Sequence, residues 1–383
     1  MTPGSGALAP RRVAVFRALM LGDMLVATPA LRAVRAAWPQ AEITLVGLPW
    51  AEALANRLDS IDRFEPFAGW PGLPEVAEPS VQQRERFLQR MRALHFDLVL
   101  QLHGSGGIVN AMLAQWQAGR LAGFCEEGVC PGGPDAPDAP GGAHFLRWPA
   151  QGHELQRLLA LTRHLGLPAT SSDLDFPLQA ADYQRAHALV PRNRRHVIVH
   201  VGSQLPSRRW PAGYFAEVAD RLVDAGWPVV LTGTAGEREL LASVASLMRA
   251  PCANLCGQTD LWTLGALIDS AALLVCNDTG VSHIAAALQT PSVVAACGSD
   301  TGRWAPLDRS RHRVLAHALE CRPCAHRVCP IGHPCAWGLS VDTVARVALE
   351  LLTTDRWHTG PSSGAPQVPA WPYKEHHAHA TLR

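Results

Sequence analysis

The chain has 383 residues, of which 48% are hydrophobic and 17% charged, ample for a core in each of two domains. A formal net charge of +1, with no basic run interleaved with aromatics and no groove-reading motif, gives no reason to expect nucleic-acid binding. No apolar stretch approaches the ~20 residues of a membrane span and the amino terminus lacks a signal-peptide core, so a cytoplasmic protein is expected.

From the amino terminus, Arg12-Val13-Ala14-Val15-Phe16-Arg17 reads as a buried strand. A turn at Gly22-Asp23, a helix from about Met24 to Trp38 and a second strand over Glu42–Gly47 follow. Another strand, Phe96–Leu102, ends at His103-Gly104-Ser105-Gly106, a Gly-rich run without the spacing of a dinucleotide fingerprint. The Pro-, Gly- and Asp-rich stretch 128–142 reads as a surface loop, a helix spans about Glu154–Leu165, and 168–191 reads as the passage between domains. The second block repeats the scheme, with strands at 196–201, 228–232, 272–276 and 292–296 separated by helices, one of them from about Gly213 to Ala225. Continuous apolar strands alternating with helices predict parallel sheets covered on both faces. The expected domains are 11–175 and 190–355, and residues 356–383, with His358, His376, His377 and His379 but no periodicity, read as a disordered tail.

Two strand ends in the second block carry polar residues suited to a phosphate. Asn277-Asp278-Thr279-Gly280 lies between an apolar strand and a helix bearing Val281, His283, Ile284, Ala285 and Leu288. A helix amino terminus there offers unpaired N–H groups and a favourable dipole, although Asp and Thr are also ordinary helix caps. About seventy residues upstream, Gly202-Ser203-Gln204 and Arg208-Arg209-Trp210-Pro211 follow a second buried strand, bringing hydroxyl and cationic groups toward a diphosphate, or forming a solvated loop with a stacking contact. Of the ten cysteines, Cys321, Cys324, Cys329 and Cys335 cluster as C-x2-C-x4-C-x5-C, a candidate structural zinc or iron–sulfur site or else a thiol-rich loop.

In this order, Gly22-Asp23 with Thr28-Pro29-Ala30-Leu31, Gly202-Ser203 through Arg209-Trp210-Pro211, and Asn277-Asp278-Thr279-Gly280 with His283 and Ala285-Ala286-Ala287-Leu288 make a recognisable set. Over about residues 11–352 the sequence resembles glycosyltransferase family 9, the ADP-heptose:lipopolysaccharide heptosyltransferases and their relatives. The resemblance implies a GT-B architecture, two Rossmann-like doubly wound α/β domains facing a central cleft, with acceptor bound by the first and nucleotide-sugar by the second. It implies transfer of a sugar with inversion, heptose from an ADP-sugar, to a hydroxyl of a lipid-linked saccharide in lipopolysaccharide core or a related surface glycan. Asp23 matches the family's catalytic aspartate, and its alternative role is a helix cap. Donor contacts are expected at Ser203, Gln204, Arg208, Asp278, Thr279, Gly280 and His283. Glu237 matches a ribose-binding position, or is a first-turn glutamate. The family commonly has lysine where this chain has Arg208, which keeps the charge but changes its geometry.

No cofactor is expected, because amides, hydroxyls and Arg208 can meet the leaving-group charge, and Asp173-Leu174-Asp175, the sole Asp-x-Asp candidate considered, lies in the interdomain passage. Any metal on the cysteine cluster would be structural. A lipid-linked acceptor implies transient contact with the inner face of the inner membrane, with Trp50, Trp70, Arg84, Arg86, Arg90 and Arg92 as candidates, or with those arginines simply forming a solvated helix face. The rival functions are a nucleotide-sugar epimerase on the same fold and a non-catalytic nucleotide-sugar-binding homologue.

Overall fold

Strands that are apolar on both faces must be covered on both faces, and the chain builds that arrangement twice. The computed structural model describes residues 9–126, 144–191 and 195–354. The loop expected at 128–142 and the tail expected at 356–383 lie outside the described residues. The chain divides into two compact units, one formed by residues up to 177 together with 300–305, the other by 178–299 and the residues from 306 onward.

The first unit contains β1 (Arg12–Phe16), α1 (Leu21–Leu25), α2 (Thr28–Ala37), β2 (Glu42–Gly47), α3 (Glu52–Ala55) and β3 (Arg63–Pro66). It continues with α4 (Val81–Ala93), β4 (Leu98–Gln101), α5 (Gly107–Ala114), β5 (Arg120–Cys125), β6 (Phe145–Arg147) and α6 (Glu154–His164). Its strands pair in parallel in the order β3-β2-β1-β4-β5-β6, with Val13 opposite both Ile43 and Leu98. Phe16, Phe67, Phe87 and Trp116 interlock edge to face in its core, ring centroids 5.1–6.0 Å apart.

The helix expected over Met24–Trp38 is two helices. Pro29 stands in the first turn of α2, where it lacks an N–H to continue a ladder from α1, and Thr28 Oγ1 donates to the Leu25 carbonyl at 2.8 Å across the break. Gly22 and Asp23, expected in a turn, belong to α1.

The second unit contains α7 (Ala180–Leu189), β7 (Val197–His200), α8 (Ala212–Asp224), β8 (Val229–Thr232), α9 (Arg238–Leu247), β9 (Ala253–Asn254), α10 (Leu261–Ser270) and β10 (Leu273–Asn277). Then come α11 (Gly280–Ala287), β11 (Ser292–Ala295), α12 (Thr301–Trp304), β12 (His312–Leu315), α13 (Pro334–Trp337) and α14 (Val341–Thr353). Of these, α12 falls within residues 300–305 and so belongs to the first unit, not the second. The sheet order is β12-β11-β10-β7-β8-β9, again parallel, and α8 and α14 cover one of its faces with Trp210, Phe215, Leu222, Val344 and Leu351 among the buried residues.

The stretch 168–191 is not a bare passage. Residues 170–175 are fastened to α2, Thr170 Oγ1 donating to the Pro29 carbonyl at 2.9 Å and Arg32 pairing with Asp175. Residues 180–189 form α7, which packs on α10.

Candidate active site

A doubly wound sheet leaves a crevice at the carboxyl ends of the two strands where its order reverses, which in the first unit are β1 and β4. The chain leaving β1 turns directly into α1, and Asp23 stands in the first turn of that helix. Its Oδ2 accepts the Met20 N–H at 3.2 Å, so the carboxylate caps its own helix while part of it stays accessible. Burial raises its proton affinity above the usual carboxylate range, Arg17 pulls the other way, and Glu154 adds to the rise. The cap and a base role are therefore compatible in one side chain.

Beneath Asp23 lies a set of residues that the sequence reading did not single out. Arg17, 1% exposed, donates from Nε to the Asp23 carbonyl at 2.8 Å and from Nη1 to the Leu102 carbonyl just beyond β4. Its Nη2 faces Glu154 Oε1 at 3.4 Å. On the same edge, His103 accepts the Ala18 N–H on Nδ1 at 3.2 Å, which leaves Nε2–H to reach Glu75 at 3.3 Å. Burial raises the Glu75 proton affinity and the His103 hydrogen bond lowers it, the net result lying below the usual carboxylate range. Two residues after a crevice-edge strand is the signal that could have flagged His103; a glutamate opening α6 carries no such signal.

In the second unit the reversal falls between β7 and β10, and the two predicted donor loops leave these strands. They are joined by Asn277, fully buried, whose Oδ1 accepts the Trp210 N–H at 2.8 Å and whose Nδ2 donates to the Val201 carbonyl at 2.8 Å. Ser203 is buried, Gln204 exposed and Arg208 half-buried on one loop, while Asp278, Thr279 and Gly280 are half-buried on the other. No side chain caps the start of α11; the Thr279 carbonyl takes the Ser282 N–H at 3.0 Å and hydroxyl at 2.8 Å. His283 is buried in the first turns of α11 and lies near His312.

Glu237 performs the first-turn role, its Oε2 accepting the Thr234 N–H at 2.8 Å and the Thr234 hydroxyl at 2.9 Å. The same carboxylate lies against Gly202 so closely that a Cβ there would collide with it. Below it, His200 is buried with Nδ1 3.1 Å from Thr232 Oγ1; burial lowers its proton affinity and the Glu237 charge raises it.

Arg208, expected to meet the leaving-group charge, donates from Nη2 to the Cys324 carbonyl at 2.8 Å. Ser207 adds two bonds to the same cysteine-rich stretch, N–H to the Arg327 carbonyl at 3.1 Å and hydroxyl to the His326 carbonyl at 2.6 Å, and His333 Nε2 lies 2.9 Å from the Ser207 carbonyl. The stretch 321–335 thus braces the loop after β7, a role its spacing did not suggest. Among the described residues no group of three or more His, Cys, Asp or Glu is arranged to hold a metal ion. Cys335 is packed in the core, Cys321 is exposed, and Cys329 Sγ accepts the His333 N–H at 3.2 Å.

Most of the arginines considered for membrane contact are engaged within the first unit. Arg84 lies over the Trp70 ring at 5.6 Å, Arg90 pairs with Glu65 at 3.0 Å, and Arg92 donates to the Gln115 carbonyl at 2.9 Å; Arg86 is exposed. No helix among the described residues is long and apolar enough to cross a membrane.

Residues 84–334 match Glycosyltransferase family 9 (heptosyltransferase). The lipopolysaccharide heptosyltransferase 2 of Escherichia coli K12 is 27% identical over 323 residues, covering 77% of this chain and 85% of that protein. A glycosyl transferase family 9 structure from Veillonella parvula superposes with a TM-score of 0.74 at 20% identity, covering 89% of this chain and 97% of the other. The structure of E. coli ADP-heptose LPS heptosyltransferase II does so with a TM-score of 0.68 at 21% identity, covering 89% and 98%. With two parallel doubly wound sheets, each carrying polar loops at its reversal point, and a family match over most of its described length, the chain belongs to glycosyltransferase family 9, the heptosyltransferase family, and is a glycosyltransferase.

Proposed function

We propose that the protein moves a heptosyl group, with inversion, from ADP-heptose to a hydroxyl of a lipopolysaccharide core or related surface-glycan acceptor, with Asp23 as general base and without a metal. The observation that carries the reading is the setting of Asp23. It is a partly buried carboxylate at the crevice edge of β1, held by the Met20 N–H, and burial raises its proton affinity above the ordinary carboxylate value, which strengthens it as a base.

In the proposed reaction the acceptor oxygen attacks the anomeric carbon from the face opposite the diphosphate. The carbon–oxygen bond to the diphosphate breaks as the new glycosidic bond forms, Asp23 takes the hydroxyl proton, and ADP leaves. The growing negative charge on ADP is met by the uncapped amides opening α11, the Ser203 hydroxyl and Arg208. Asp175, of the Asp-x-Asp triplet, is already paired with Arg32, which favours stabilisation by these groups over a metal held there. The second unit binds donor and the first binds acceptor. The acceptor being lipid-linked, the enzyme works in the cytoplasm at the inner face of the inner membrane. Membership of a transferase family weighs against an epimerase, and the presence of Asp23 weighs against a non-catalytic homologue.

The test is transfer from ADP-heptose to heptose-deficient lipopolysaccharide in the presence of EDTA, with Asp23→Asn beside the unmodified protein. The reading expects chelator-insensitive transfer that falls by roughly 10²–10⁴-fold in the variant, with ADP binding retained. Undiminished transfer by Asp23→Asn overturns the base assignment, and selective binding of another nucleotide overturns the donor.

A further inference from the structure

Glutamate at the start of a helix ordinarily stays in water, where it complements the helix dipole. Glu154 opens α6 but is 1% exposed, so its charge has to be matched by protein groups. Three guanidiniums do so. Arg17 Nη2 lies 3.4 Å from Oε1, Arg157 Nη1 3.3 Å from Oε2, and Arg303 places Nε and Nη2 at 3.0 and 2.9 Å from Oε2. Arg303 stands on α12, whose Asp300 accepts the Arg303 N–H at 3.1 Å, and is 149 residues from Glu154 in sequence.

A buried ion cluster of this kind contributes little net stability, because desolvation cancels most of the attraction. What it does is fix direction. Arg17 is equally buried and spends the remainder of its fork on two carbonyls, those of Asp23 and Leu102. With Nη2 held by Glu154, the plane of the guanidinium has no freedom to swing, and Nε stays on the backbone of the residue that carries the reactive carboxylate.

We propose that Glu154 is a positioning residue for the transfer reaction: it holds Arg17 on the Asp23 carbonyl and Arg303 within reach of the Asp23 charge, giving that carboxylate one location and one electrostatic setting. The inference rests on Asp23 being the base. The charged groups that act on Asp23 come from three elements, Arg17 from the end of β1, Glu154 from α6 and Arg303 from α12, and the Met20 N–H is its hydrogen-bond donor. Glu154 makes Asp23 harder to ionise, whereas Arg17 and Arg303 make it easier. Altering the cluster therefore has a signed consequence that a purely structural role does not share.

The test uses the full chain and two readouts across the acid-to-neutral range. One is labelling of Asp23 by a water-soluble carbodiimide, which reacts with the protonated carboxyl, followed by peptide mass spectrometry; it needs no substrate. The other is the acid limb of transfer from ADP-heptose to heptose-deficient lipopolysaccharide. Glu154→Gln is expected to move the Asp23 midpoint downward by on the order of one pH unit, and Arg303→Gln upward by a similar amount, with Arg303→Lys restoring it. The acid limbs should follow, with kcat reduced and donor KM little changed. Midpoints that stay put or move in the same direction in both variants, while Asp23→Asn abolishes transfer, overturn this inference and leave the base reading standing. Full transfer by Asp23→Asn overturns both. If Glu154→Gln does not fold, the half-buried Arg303 pair of variants decides the matter alone.

Discussion

Asn277→Ala isolates the contribution of one amide to the second unit. Both of its hydrogen bonds, at 2.8 Å each, go to backbone groups of residues that are 1% exposed, Trp210 and Val201. Truncation leaves a buried N–H and a buried carbonyl without partners. At ~1–3 kcal/mol for each orphaned group, with some recovery as the loops relax, the expected loss is about 3 kcal/mol. For a unit of this size that corresponds to a fall of roughly 6–12 °C in the midpoint of its thermal transition. The assay is denaturant unfolding of the variant and the unmodified protein, paired with ADP titration. Because the amide joins the loop after β7 to β10, affinity for ADP should weaken along with stability. Asn277→Asp, which keeps the acceptor for Trp210 but sets a carboxylate against the Val201 carbonyl, should be at least as damaging. A loss below ~1 kcal/mol in Asn277→Ala, or unchanged ADP affinity, refutes the argument that this side chain ties the donor loops.

Other perturbations have equally definite outcomes. Gly202→Ala should force Glu237 away from its place and release its bonds to Thr234, costing about 1 kcal/mol as a lost cap does and weakening ADP binding several-fold, as isothermal titration would show. Burial pushes the His312 imidazole down to about 4, where it sits 2.9 Å from Ser292 Oγ, whereas the unfolded chain takes up that proton near the ordinary imidazole value. The depressed folded value means stability is lost as pH falls from about 6.5 to about 4, by an amount of order 3 kcal/mol, and His312→Gln should flatten that part of the urea-midpoint profile. Arg208→Ala should loosen residues 321–335 by removing the bond to the Cys324 carbonyl, detectable as faster alkylation of Cys324 and Cys329.

Seven of the eight interior strands were legible because each is an unbroken apolar run: β1, β2, β4, β7, β8, β10 and β11 all fall within the expected segments or one residue from them, and all but the first residues of β1 and β2 are buried, whereas β5, which opens on Arg120 and is interrupted by Gly123, was not expected. The outer strands β3, β6, β9 and β12 were not. Half-exposed sequences such as Arg63-Phe64-Glu65-Pro66 show neither an apolar run nor clean alternation, and their pairing is decided by the neighbour already in place. The helix α7 hid in a stretch of low hydrophobicity because its start depends on a Gln179–Asp182 exchange rather than on an apolar face. At the candidate site, the positions of Asp23 and of the two polar loops after β7 and β10 could be read because their residues are close together in sequence. The parts supplied by Glu154, Arg303, Asn277 and residues 321–335 could not, since each acts through partners 67 to 149 residues away.

The assignment of residues 300–305 to the first unit has a consequence for how the chain matures. A nascent polypeptide extended only to residue 177 already contains every strand of the first sheet and α6, yet Glu154 has Arg17 and Arg157 for company and not Arg303. The last guanidinium is translated 149 residues after the carboxylate it serves, when most of the second sheet has already been made. Domains usually consolidate one after another during synthesis. Here the ground beneath Asp23 is completed late, so the first unit must wait, one guanidinium short, until only β12, α13 and α14 of the second remain to be made.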